Sequence, residues 1–181
     1  ERRNAAKDPR FCDGERCLDD ILIDGADALV ADGKGNRVLV LHQLGSHGPD
    51  YYRRYPDDLR RFLPTCDTPD LSQCDRTQII NSYDNSLLYT DRFLAHSLDF
   101  LERQAAHYDT ALIYVSDHGE SLGENGLFLH GMPYAIAPAE QTHVPMLMWF
   151  SPAYRRDFGL DPACMRQVAR RPASHDHLFH R

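Results

Sequence analysis

One stretch limits the fold more than any other. Between Gln78 and His107, apolar residues recur largely three and four positions apart, at Ile79, Ile80, Tyr83, Leu87, Leu88, Leu94, Leu98 and Leu101. That is the repeat of a long amphipathic helix. Short, nearly continuous apolar runs flank it. Arg37 to His42 lies before it, and Thr110 to Ser116 and His143 to Phe150 follow it. The first reads as a parallel strand buried on both faces and the other two as further strands, and Pro145 sits near the start of the last, where proline is tolerated. Strand, long helix, strand, loop, strand predicts an α/β fold with a mainly parallel sheet flanked by helices.

The remaining segments are less regular. Leu18, Ile21, Leu22, Ala26 and Leu29 have helical spacing, weakened by Gly25. Residues 45–77 show neither period, and a loop that long in a compact domain is usually functional. Gly159 to Arg171 reads as a connector, and Ser174 as the N-cap of a last helix.

With 181 residues the chain suffices for one domain with a sizeable core. A net charge of −7 and the lack of a long basic run disfavour nucleic-acid binding. An acidic balance does not exclude an anionic substrate, because a bound dication dominates the local field. No stretch approaches the ~18 apolar residues of a membrane span. The chain opens Glu1-Arg2-Arg3-Asn4 without a signal peptide and closes Leu178-Phe179-His180-Arg181, a few residues into a helix. A fragment of a longer protein, incomplete at both ends, is expected, so the lack of membrane segments is uninformative.

Cys12 and Cys17 bracket four residues, and Cys66 and Cys74 bracket seven, in polar, turn-forming segments. Short-loop disulfides in an oxidising compartment fit this pattern. The alternative is free or zinc-binding thiols, but neither pair has the spacing of a zinc ribbon. Cys164 is left over.

Three histidine–glycine motifs fall in order: His42-Gln43-Leu44-Gly45-Ser46-His47-Gly48-Pro49, Ser116-Asp117-His118-Gly119-Glu120 and Leu129-His130-Gly131-Met132-Pro133. The first two follow expected strands, where open α/β sheets build their sites. Asp117 and His118 can reach one metal if the backbone turns sharply, which Gly119 permits. Oxygen plus nitrogen ligands suit zinc or a similar ion. His47 and His130 could join that site, although either alone would read as a hydrogen-bonded loop residue. Other residues are weaker candidates. Glu120 reads as a turn or supporting residue, Glu124 as solvated, His42 as a strand cap and His143 as a supporting residue. The Tyr51-Tyr52-Arg53-Arg54-Tyr55 run reads as rings packed on the core or as a phosphate or sugar contact. Ser174-His175-Asp176-His177 with His180 reads as a helix start, with His177 exposed. No residue sits in a convincing nucleophile turn, and no Gly-rich phosphate loop is present.

Asp117-His118-Gly119-Glu120 after a hydrophobic strand resembles the metal motif of the alkaline phosphatase and sulfatase superfamily. Gly45-Ser46-His47-Gly48-Pro49, Tyr51-Tyr52, Tyr55-Pro56, Asn81-Ser82-Tyr83-Asp84-Asn85-Ser86 and Leu129-His130-Gly131-Met132-Pro133 narrow the resemblance to the lipid A phosphoethanolamine transferases. These include the mobile colistin-resistance enzymes. The cysteine pairs and Ser174-His175-Asp176 also fit.

The resemblance implies a periplasmic catalytic domain, anchored in the bacterial inner membrane by an N-terminal helical bundle. It implies zinc-dependent transfer of phosphoethanolamine from phosphatidylethanolamine to a lipid A phosphate through a phospho-threonine intermediate. Asp117 and His118 match primary zinc ligands. His47 and His130 match histidines that bind the substrate phosphate or a second zinc, or protonate a leaving group. The glutamate ligand and threonine nucleophile of that family lie upstream of the matched segment, so this chain alone is expected to bind metal weakly and not turn over. His177 stands where the family usually has Asn. A sulfatase or phosphoglycerol transferase of the same superfamily is the alternative, although no residue suited to formylglycine formation is evident. A non-catalytic metal-binding domain is the third.

Overall fold

A computed structural model describes residues 8–179. His180 and the first seven residues of the expected N-terminal loop lie outside the described residues. The centre of the fold is α2 (Arg76–Arg103), preceded by the short α1 (Asp27–Val30). After α2 come β1 (Ala111–Val115), β2 (Ser121–Leu122), β3 (Phe128–Leu129), α3 (Ala139–Thr142) and β4 (Met146–Phe150). Three helices close the described chain: α4 (Pro152–Asp157), α5 (Pro162–Val168) and α6 (Asp176–Phe179).

α2 begins where its cap dictates. The Asp75 carboxylate accepts the Gln78 backbone N–H at 2.9 Å, and the Gln78 side-chain oxygen accepts the Asp75 N–H at 2.9 Å. This capping box satisfies two donors that helix geometry leaves unpaired, typically about 1 kcal/mol for the cap residue. The helix runs unbroken for 28 residues, as its period predicts.

Its buried face differs from the one the apolar pattern marks. The most enclosed residues are Ile79, Ser82, Asn85, Ser86, Tyr89, Phe93, Ser97 and Phe100, while Leu87 is exposed. The reason is the loop that crosses this face. Asn85 accepts the backbone N–H groups of Arg61 and Phe62 at 2.8 and 2.9 Å and donates to Phe62 O at 3.0 Å. Ser82 Oγ accepts the Cys66 N–H at 2.8 Å, and Asn81 donates to Pro64 O at 2.8 Å. A loop with no ladder of its own must find such partners, because unpaired buried backbone groups are costly. The Cys66–Cys74 disulfide pins the same loop, and Cys12–Cys17 closes the first turn. Both expected pairs are present, and Cys164 is exposed and free.

Two apolar clusters bracket α2. Ala26, Val30 and Phe100 form one, with Leu39 and Tyr108 against it. Tyr51, Cys66 and Ile79 form the other, joined by Leu122 and Leu129. The segment Leu18–Leu29 is not one helix, because Gly25 adopts φ 66° and separates a 3₁₀ turn at Asp19–Leu22 from α1. Gly159–Arg171, expected to be a connector, contains α5, capped by Asp161. The last helix starts at Asp176, two residues beyond Ser174.

The expected α/β class holds, and the ladders formed within the described residues are antiparallel. Among the described residues β1 pairs antiparallel with β4, with Ile113 opposite Met148, and β2 pairs antiparallel with β3. Residues 37–42 form no ladder. They are nonetheless extended in character: Val38 and Val40 are 89% and 85% exposed, while Leu39 between them packs on the core. That alternation is the period of a strand with one face covered. The burial on both faces expected of this run is therefore not found, and an apolar run alone does not fix it. Such a run carries no information on which neighbour it pairs with or in which direction.

The polar contacts on α2 predict an inversion of the usual ranking. Asn85→Ala leaves two loop N–H groups unpaired and is expected to cost about 2–3 kcal/mol in urea unfolding. Leu87→Ala, on the exposed face, is expected to cost about 0.5 kcal/mol. A larger loss for Leu87→Ala would contradict this packing.

Candidate metal centre

The three motifs converge. His47, His118 and His130 each offer a ring nitrogen, and these atoms lie within 4.8 Å of one another. The rings of His118 and His130 stack with centroids 3.9 Å apart, and His47 meets them edge-on at 5.6 and 4.7 Å.

Each ring is held by its other nitrogen. His47 Nδ1 lies 2.7 Å from Gly48 O, His118 Nδ1 lies 3.0 Å from Gly119 O, and His130 Nδ1 lies 3.1 Å from Glu120 Oε1. A carbonyl oxygen only accepts, so Nδ1 carries the hydrogen in the neutral rings of His47 and His118. The carboxylate of Glu120 sets the same arrangement for His130. Each Nε2 is thereby left free, as a lone pair for a metal or, when protonated, as an N–H donor to a phosphate oxygen. The donor set fits a divalent ion that favours imidazole nitrogen, zinc among them.

Packing fixes the loops. The His47 loop is anchored at one end by Asp19, whose carboxylate accepts the Leu44 and Gly45 N–H groups at 3.0 and 2.9 Å. Burial pushes the Asp19 carboxyl above its usual range, against those hydrogen bonds. Arg54, also buried, donates to His47 O at 2.8 Å. At Gly48 a Cβ would come within 2.5 Å of Leu129 and 2.7 Å of the Tyr51 hydroxyl. At Gly119 a Cβ would sit 2.0 Å from Glu140 O. Gly119 is therefore required for space. It is absent from the glycines with positive φ, so glycine is needed there for space and not for a left-handed backbone. Leu129 has φ 64°, a left-handed backbone that branched and bulky residues rarely adopt, directly before His130.

Glu120 is the hub. It is 7% exposed, and its carboxylate accepts the Gly48 N–H at 3.0 Å and the Tyr51 O–H at 3.2 Å in addition to meeting His130. Burial and the adjacent Glu120 carboxylate hold the Tyr51 phenol well above its ordinary range, so it remains a donor.

Asp117 stands at the rim. Its side chain is 83% exposed, and Oδ1 lies 3.9 Å from His118 Nε2 and accepts the His118 N–H at 3.0 Å. It is adjacent to the lone pair of His118 and outside the three-histidine group. The aromatic run is support: Tyr51 and Tyr55 are buried, and Arg53 pairs with Asp13 and Glu15. Glu124, expected to be solvated, accepts the Leu122 N–H at 2.6 Å and pairs with Arg76 at 2.8 Å. His42 and His143 are exposed and lie outside the cluster. His177 is exposed, as expected, while His175 Nε2 lies 2.8 Å from Ser116 O at the end of β1. Asp19 and Gln141 support the site without any sequence signal of their own.

The space at Gly119 yields a test. Gly119→Ala is expected to displace the His118 loop and weaken zinc binding at least about ten-fold, with helix content retained by circular dichroism. Unchanged zinc affinity would contradict the close approach to Glu140.

Residues 2–181 match the sulfatase family. The chain is 47% identical to phosphoethanolamine transferase EptA of Salmonella typhimurium over 172 residues, covering 94% of this chain and 31% of that protein. It is 48% identical over 134 residues to phosphatidylethanolamine transferase Mcr-1 of Escherichia coli, covering 74% of this chain and 25% of that protein. The crystal structure of the soluble domain of lipooligosaccharide phosphoethanolamine transferase A from Neisseria meningitidis superposes with a TM-score of 0.93 at 46% identity, covering 99% of this chain and 54% of that one. The chain thus spans between a quarter and a third of the length of the curated relatives named here. The histidine cluster stands within a sequence matched almost from end to end, and the chain belongs to the sulfatase family.

Proposed function

We propose that this chain is part of the periplasmic catalytic domain of an inner-membrane, zinc-dependent transferase. It would move phosphoethanolamine from phosphatidylethanolamine to a lipid A phosphate. The observation that carries this reading is the meeting of three imidazoles whose Nδ1 positions are already engaged. The high identity to proteins named as phosphoethanolamine transferases gives the chemistry its direction.

In this reading Asp117 and His118 hold the primary zinc. When bound, the ion neutralises phosphoryl charge and lowers the pKa of a hydroxyl beside it. His47 and His130 face the transferred phosphate, or help to hold a second zinc. His130 is suited to carry a proton at Nε2 to the leaving oxygen, because Glu120 fixes its ring through Nδ1. Gly48 and Tyr51 hold Glu120 in turn, so the ring does not have to reorganise during transfer. The nucleophile, a threonine that would carry the phosphoryl group, is proposed to lie outside these residues.

The location rests on two observations. The disulfides Cys12–Cys17 and Cys66–Cys74 fit an oxidising compartment. The integral membrane protein lipooligosaccharide phosphoethanolamine transferase A from Neisseria meningitidis covers 94% of this chain with a TM-score of 0.90. Among the described residues no helix is long and apolar enough to cross a membrane.

Mass spectrometry of lipid A from cells expressing the full-length protein tests this. A phosphoethanolamine adduct is expected with the unaltered protein and is expected to disappear in His118→Ala. His47→Ala is expected to reduce it by about 100-fold or more. Unmodified lipid A from a well-expressed, zinc-loaded protein would point to another acceptor or to a hydrolase.

A further inference from the structure

The loops that carry His118 and His130 meet at one residue with no part in the chemistry above. Gln141, on α3, is 6% exposed. Its backbone oxygen accepts the Gly119 N–H at 3.0 Å. Its side-chain Nε2 donates to Ser121 Oγ at 2.9 Å, and its Oε1 accepts the Met132 N–H at 3.3 Å. A backbone N–H only donates, so Met132 fixes which way the amide faces. Gly119 and Ser121 follow His118, and Met132 lies two residues beyond His130.

The stretch beyond His130 has little else to hold it near the site. Gly131 adopts φ 102°, and Tyr134 and Ile136 are 86% and 66% exposed. On the His118 side, the carbonyl of Glu140 occupies the space that a Cβ at Gly119 would need. The amide of Gln141 therefore spans the gap between the two loops, with both ends hydrogen-bonded.

We propose that Gln141 is a positioning residue that sets the separation of the His118 and His130 rings. This deepens, and its metal-dependent arm rests on, the reading of the histidine cluster as a metal centre. An apolar side chain of similar length would leave Met132 N–H and Ser121 Oγ without their partner, and only the short β2–β3 ladder and the Glu120–His130 contact would still hold the two loops together.

The test uses the full chain with Gln141→Met and, as control, Glu140→Ala, which keeps the backbone carbonyl that packs on Gly119. Without metal, proton NMR reads the ring-current shifts that the His118 and His130 stack imposes on their Hε1 signals. With Co²⁺ as probe, the visible d–d band reads affinity and geometry. Gln141→Met is expected to lose the ring-current shifts and to bind Co²⁺ about ten-fold more weakly with an altered band, while Glu140→Ala matches the unaltered chain.

Ring-current shifts and affinity within about two-fold of the unaltered chain would overturn the proposal. If Gln141→Met does not fold, Ser121→Ala keeps the acceptor for Met132 and removes the partner of Gln141 Nε2. It is expected to show an intermediate loss, and equality with the unaltered chain would again overturn the proposal. An unaltered chain that binds no Co²⁺ would refute the metal centre, and the ring-current comparison would still decide whether Gln141 holds the two rings.

Discussion

The buried carboxylate of Glu120 is the interaction on which the rest depends. It draws donors from Gly48 and Tyr51, 72 and 69 residues earlier in the chain, and meets His130, ten residues later. Among the described residues no lysine or arginine pairs with it; the group that meets it is His130 Nδ1, 3.1 Å away. A carboxylate so enclosed is tolerable only when hydrogen bonds replace the water it has lost. Each donor is therefore needed by the carboxylate, and the carboxylate is needed by each donor. The arrangement that satisfies all of them brings the three histidines together. Fold and site share one electrostatic requirement.

The second constraint is the long loop laid over α2. Its backbone has no ladder, so the helix presents Asn85, Ser82 and Asn81 to it. This explains why a helix with many leucines buries serines and asparagine at its centre. Tyr51 leaves that loop to reach Glu120, and also packs with Cys66 and Ile79. The disulfide at Cys66 and the α2 surface thus hold the Tyr51 end of the hub in place.

The sequence made the chemistry easier to read than the packing. Histidine–glycine motifs after apolar runs marked His47, His118 and His130, because ligand residues and the glycines that let loops approach one another are distinctive. The long helix followed from its period, and the cysteine pairs from their spacing. Strand pairing did not follow, since hydrophobicity carries no direction, and residues 37–42 have the alternation of a strand without a ladder among the described residues. The reason for Gly119 was also hidden: the carbonyl of Glu140, from a later segment of the chain, fills its space. Gln141 was invisible for the same cause. A lone glutamine carries no pattern, and its meaning comes only from the two loops it touches.

The central claim is that the imidazole nitrogens left free by their own hydrogen bonds form a metal centre. X-ray absorption at the zinc edge of the zinc-loaded chain tests it most directly. The account predicts imidazole nitrogen at about 2.0–2.1 Å, with the multiple scattering of intact rings. A shell of oxygen alone, without ring scattering, would contradict it.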